Sequence, residues 1–140
     1  EPSRVLDVDV LLRLQNAVRE VFVHHALVDY VVRVTIATRE PQHHGLEDVA
    51  RWLSYGASPR ATLGAVTAAR ALALIRGRDY VVPQDVVDVL PAVLRHRLVL
   101  TYDALADEIS ADTVVRRVLE AVPLPQISAV PAQTGAPPSQ

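Results

Sequence analysis

Between residues 9 and 21 apolar side chains recur at helical spacing, with Val10, Leu11, Leu14, Val18 and Val21 on one stripe. Asp7 or Asp9 stands ahead of it, where a carboxylate caps free N–H groups. The pattern predicts an amphipathic helix. Two periods compete from 26 to 38. Leu27, Tyr30, Val31, Val34 and Ala37 form a helical stripe, while Val32, Val34 and Ile36 alternate with Arg33 and Thr35 as in a strand. The length of the stretch and its lack of internal Gly or Pro predict a helix. Pro41 and Gly45 then punctuate a loop over 39–45, and a short helical turn is expected around 46–53.

Ser58-Pro59 places a capping serine before a proline at the first helical position, a favoured way to begin a helix. The alanine-rich stretch 60–76 follows, with Leu63, Val66, Ala69, Leu72 and Ala73 expected on its inner face. Gly77 falls where a left-handed C-terminal cap is wanted. Val82-Pro83-Gln84-Asp85 opens another helix, continued by Val86, Val87, Leu90, Val93 and Leu94, with Asp85 suited to the helix dipole. Pro91 is expected to kink or divide it. Residues 98–102 read as extended. Ser110 or Asp112 then starts a last helix that turns Val114, Val115, Val118, Leu119 and Val122 inward. The prediction is a mainly α fold, a small helical bundle over 1–122. The stretch 123–140 holds five of the ten prolines and no charge, and is expected to be a Pro-rich disordered tail or linker.

Composition narrows the chemistry. A chain of 140 residues has the length for one domain with a real core. No apolar run approaches the roughly 18 residues that cross a bilayer, and no secretory signal opens the chain. These features predict a soluble, cytoplasmic protein with no membrane span. The absence of methionine, even at the start, suggests an excised piece of a longer chain. Without cysteine there is no disulfide, thiolate nucleophile or cysteine-bound zinc. All 14 basic residues are arginine, so a Walker-type phosphate loop, which needs lysine, is excluded, and no G-x-G-x-x-G occurs. The net charge of −2 argues against nucleic acid as a partner.

Few residues are left to carry chemistry. His24-His25 and His43-His44 invite a metal, but adjacent helical residues point about 100° apart, so each pair offers one ligand at best. No metal site is expected. Asp85, Asp88, Asp103, Asp107 and Glu108 read as solvated or capping carboxylates. Arg60 is different. A cation in the first helical turn opposes the positive end of the macrodipole. Either it pairs with a carboxylate from another helix, or it joins free amide groups in an anion site.

Four segments carry a resemblance. Tyr55-Gly56-Ala57-Ser58-Pro59-Arg60-Ala61 resembles the G-A-S-P-R-A motif at the start of the helical lid of MoxR-family AAA+ ATPases. Residues 30–39 resemble that family's Y-[IV]-V…A-T-R helix, and 77–86 its G-R-x-Y-V-x-P-x-D-V segment, with Gln84 where an acidic residue is usual. Val93-Leu94-Arg95-His96-Arg97-Leu98 is similar to its V-L-x-H-R-[LI] signature. The resemblance covers residues 5–123 or so. His43, His44 and the tail match nothing in it.

The resemblance implies an AAA+ lid that closes over ATP and Mg held by an α/β core elsewhere in the same chain. Arg60 would be the sensor 2 residue at the γ-phosphate, with Ser58, Pro59 and Arg60 forming the nucleotide-facing edge. It implies ATP hydrolysis by the intact protein, none by this stretch alone, and no tightly held cofactor here. Implied partners are the core domain, neighbouring subunits of a ring, and client proteins remodelled by a chaperone-like action, among them von Willebrand factor A domain proteins. Two other readings stay open. One is a DNA-binding helical domain whose basic face would be Arg76, Arg78, Arg95, Arg97, Arg116 and Arg117. The other is a protein-interaction module with no nucleotide role.

Overall fold

Four alanines spaced four apart, Ala61, Ala65, Ala69 and Ala73, are fully buried along one helix and set how closely its neighbours approach. The computed structural model describes residues 3–127. In chain order it contains α1 (Val8–Glu20), α2 (His25–Arg39), a 3-10 turn (Pro41–His44), α3 (Glu47–Trp52) and β1 (Leu53–Tyr55). These are followed by α4 (Arg60–Ile75), α5 (Pro83–Leu94), β2 (Val99–Leu100), α6 (Tyr102–Ala106) and α7 (Ala111–Ala121). The alanine helix is α4. Gly64 near its start faces Val93 near the end of α5, so the two helices run antiparallel. The α2, α5 and α7 helices close the core with Leu27, Tyr30, Val31, Val34, Val86, Leu90, Leu94, Val114, Val115 and Val118, all essentially without solvent contact. Strands β1 and β2 pair antiparallel, Leu53 opposite Leu100, at the edge of this bundle.

The caps account for the element boundaries. Asp7 accepts from the Val10 N–H and starts α1. The Nδ1 of His24 accepts from Ala26 and starts α2. Ser110 accepts from Thr113 and starts α7. Gly77 takes the left-handed conformation (φ +75°), and the N–H groups of Gly77 and Arg78 return to the carbonyls of Leu74 and Ala73, closing α4.

Several expectations are corrected. The Ser58 hydroxyl caps nothing: α4 begins at Arg60, with Pro59 already in helical conformation and the Ser58 carbonyl accepting from Ala61. Leu63 is 71% exposed rather than inward, because the inner face belongs to the alanine row. Of the α1 stripe only Val21 is buried, while Leu11 and Leu14 remain exposed among the described residues. Pro91 does not divide α5, which runs unbroken from Pro83 to Leu94. The 39–45 loop contains a 3-10 turn, and β1 and α6 were not foreseen. Of the two readings of Asp85, solvated or capping, the second holds: it has no solvent exposure at all and accepts from the Val82 N–H at the start of α5. The expected tail lies outside the described residues from 128 onward. Residues 123–127 have no regular structure, although Ile127 packs against the core.

Candidate functional site

Where the end of α2 meets the start of α4, the surface opens into a groove of about 680 Å³. Its walls are Val32, Thr35, Ile36, Arg39 and Glu40 on one side and Pro59, Arg60, Thr62 and Leu63 on the other. Val32, Ile36 and Leu63 give it an exposed apolar shelf. Arg39 and Arg60 supply cations, and neither has an ion pair or side-chain hydrogen bond among the described residues. The bland alternative for Arg60, an ion pair with a carboxylate from another helix, is therefore not what the fold builds.

The loop that presents Arg60 is held firmly. Thr35 and Thr62 hydroxyls meet at 3.2 Å across the groove floor. The Thr38 hydroxyl donates to the Thr35 carbonyl at 2.7 Å and accepts from the Ala57 N–H at 2.9 Å. Gly56 lies directly on the last turn of α2. A Cβ there would stand 2.7 Å from the Arg39 backbone nitrogen and closer still to the Thr38 carbonyl, so only glycine fits. The segment 56–60 is thus fastened to the same helix end that carries Arg39. Spacing alone gave no sign of this arrangement.

The other candidates have structural occupations. Asp85 is gripped by Arg78 through two bonds of 2.7 Å and by Arg76 at 2.9 Å, and it accepts from the Val82 N–H at 2.9 Å. Burial pushes its carboxyl up, but the bonds from Arg78, Val82 and Arg76 together outweigh burial and hold it below the ordinary carboxylate range. This explains the spacing of Gly77-Arg78 and Asp85 without any ligand. Arg76 also holds Asp88 at 2.7 Å, Arg95 holds Asp112 at 2.9 Å, and Arg117 holds Asp48 at 2.9 Å. Four of the six arginines of the supposed DNA-binding face are therefore neutralised. Asp103 and Asp107 both lie 3.4 Å from Arg51. His24 caps a helix and stacks on His25 at 4.3 Å, while His43 sits 3.2 Å from Glu40. No cluster of three potential metal ligands occurs among the described residues, and no described helix is long and apolar enough to cross a membrane.

The helical bundle is shared with known proteins. Residues 46–118 match the family described as AAA lid domain, and the chain belongs to that family. It is 62% identical to the chaperone MoxR1 of Mycobacterium tuberculosis over 95% of its own length and 35% of the relative's. It is 34% identical to the protein MoxR of Methylorubrum extorquens, covering 86% of this chain and 37% of that one. A crystal structure of a candidate ATPase from Cytophaga hutchinsonii superposes with a TM-score of 0.81 at 34% identity, over 84% of this chain and 36% of that chain. The domain is thus a lid of the MoxR-family AAA+ ATPases, and it spans about a third of the length of the curated relatives it matches.

Proposed function

We propose that this lid closes over ATP bound by an α/β core in the intact protein, with Arg60 contacting the γ-phosphate as the sensor 2 residue. The observation that carries the reading is the exposed, unpaired guanidinium of Arg60 at the edge of a groove with an apolar shelf. The groove suits a nucleotide's apolar base and one end of its phosphate chain. Its lining has one carboxylate, Glu40, and magnesium would be held by the core. Magnesium there would neutralise phosphate charge.

The energetics make the role differential. A hydrogen bond to a charged group contributes about 1.5–3 kcal/mol net, whereas even millimolar affinity needs about 4.1 kcal/mol. Arg60 alone therefore does not retain ATP. It favours the closed lid while the terminal phosphate is present and releases it after hydrolysis. Lid rotation then moves a neighbouring subunit of the ring, the step by which a cytoplasmic chaperone of this kind remodels its clients, von Willebrand factor A domain proteins among them. The similarity to MoxR1, a chaperone, supports the chaperone-like part of this reading.

The test is Arg60→Ala in the full-length protein. Loss of a 1.5–3 kcal/mol contact made only in the closed state lowers ATP turnover about 10- to 150-fold. Because Arg60 is exposed, the lid's own stability changes by less than about 0.5 kcal/mol. Wild-type turnover in this variant refutes the role. The 140-residue chain alone is expected to hydrolyse no ATP, and a micromolar titration with ATP contradicts the argument.

A further inference from the structure

We propose that Arg97 is a second anion-binding residue, placed to share with Arg60 the terminal oxyanion of a polyphosphate. Arg97 lies just past the end of α5, and its Nε is buried with no hydrogen-bond partner. It appears in no ion pair among the described residues, although its neighbour Arg95 is matched to Asp112. A buried donor left unsatisfied by the protein demands an explanation, and binding of an anion beside it is one.

Geometry supplies the anion's place. The guanidinium of Arg97 lies against Gly64, its Nη2 3.8 Å from where a Cβ on that glycine would stand. Gly64 is one helical turn from Arg60, about 6 Å along the same side of α4. Two unpaired arginines therefore stand at the same end of the α4–α5 pair, beside the positive end of a 16-residue helix. With no anion present these charges oppose one another. A multiply charged oxyanion between them reverses the sign of the interaction, and two guanidiniums can divide its oxygens.

Arg70 provides the internal control. Its Nε is also buried and unpartnered. It lies ten residues along the same helix from Arg60, about 15 Å away, and cannot share that anion.

The inference rests on the reading of Arg60 as the phosphate-facing residue, so the experiment separates the two. The 140-residue chain, labelled at arginine with ¹⁵N, is titrated with inorganic tripolyphosphate at fixed ionic strength. The Nε–H resonances of Arg60 and Arg97 are expected to move on one millimolar isotherm while Arg70 stays in place. Arg97→Gln weakens tripolyphosphate binding at least fivefold, and Arg97→Lys, which keeps the charge, restores most of it. Should Arg97→Gln fail to fold, the wild-type resonances and the lysine variant still decide. Movement of Arg60 alone, or of neither resonance, overturns the role of Arg97. If both resonances track tripolyphosphate while Arg60→Ala leaves ATP turnover of the full-length protein intact, the two-arginine anion site stands and the ATP reading falls.

Discussion

Replacing Gly56 by alanine adds one methyl group at the point where the Arg60 loop rests on α2. The new carbon stands 2.7 Å from the Arg39 nitrogen and closer to the Thr38 carbonyl, so backbone must separate from backbone. Gly56 has no positive φ, and steric contact is therefore the entire effect. Overpacking of this kind costs about 1–3 kcal/mol. Separation also strains the buried bond from the Ala57 N–H to the Thr38 hydroxyl, whose loss adds about 1–3 kcal/mol. The two share one displacement and do not sum fully, which leaves about 3 kcal/mol. At about 2–4 °C per kcal/mol for a domain near this size, Tm falls by about 10 °C. Thermal and urea unfolding of the isolated chain measure this directly. Thr38→Val removes the hydroxyl that accepts from the Ala57 N–H and donates to the Thr35 carbonyl. In a double-mutant cycle with Gly56→Ala it should therefore be less than additive, because both act on the same junction. A Gly56→Ala chain within 0.5 kcal/mol of wild type, or strict additivity, refutes the claim that this contact fixes the loop.

Asp85→Asn removes one partner of a buried cluster and costs about 3 kcal/mol, the low end for such a loss because both guanidiniums keep some solvent contact. Since the folded carboxyl lies below its ordinary 3.8, its stabilisation is complete above that pH and is lost as pH falls through the lower folded value. Acid unfolding curves of Asp85→Asn should lack that part of the slope below pH ~4, and an unchanged slope counts against it. Glu108 sits in the left-handed region at φ 56° as α6 ends, so Glu108→Gly is expected to raise stability by about 0.5–1 kcal/mol, read as a higher urea midpoint. Leu90→Ala should cost about 2–5 kcal/mol, whereas Leu11→Gln, at a site 47% exposed, should change the isolated chain by less than about 0.5 kcal/mol. Comparable losses in the two variants contradict the observed burial.

The helices were largely legible because most of their apolar periods, the caps at Asp7 and Ser110, and Gly77 agree with the fold. The errors fall on particular residues. Val32 and Ile36 looked like the alternate positions of a strand, and Leu63 like core. All three are exposed and line the groove, and periodicity registers that a side chain is apolar without registering what covers it. The α1 stripe fails for the same reason. Asp85 does cap the start of α5, as one of its two readings had it, but nothing local announces that it is buried and that Arg76 and Arg78 fold back onto it. Of the candidate site, Arg60 was found from its opposition to the helix dipole and from motif resemblance. Arg39 entered only as part of a motif, and the clamp of Thr38, Ala57 and Gly56 is a long-range contact that no local pattern encodes.

That clamp decides how any force on Arg60 is felt. A phosphate contact at Arg60, as proposed, would supply about 1.5–3 kcal/mol. Freeing the loop from α2 means breaking the bond between Thr38 and Ala57, parting Thr35 from Thr62, and lifting Gly56 off the helix end. At about 1–3 kcal/mol for each buried donor or acceptor left unmade, that exceeds what the phosphate returns. The cheaper response is for 56–60, α2 and the alanine-packed α4 to move together. On the proposed reading, a single side chain at the rim of the groove would therefore reorient the whole bundle, because the chain behind it is too well fastened to yield.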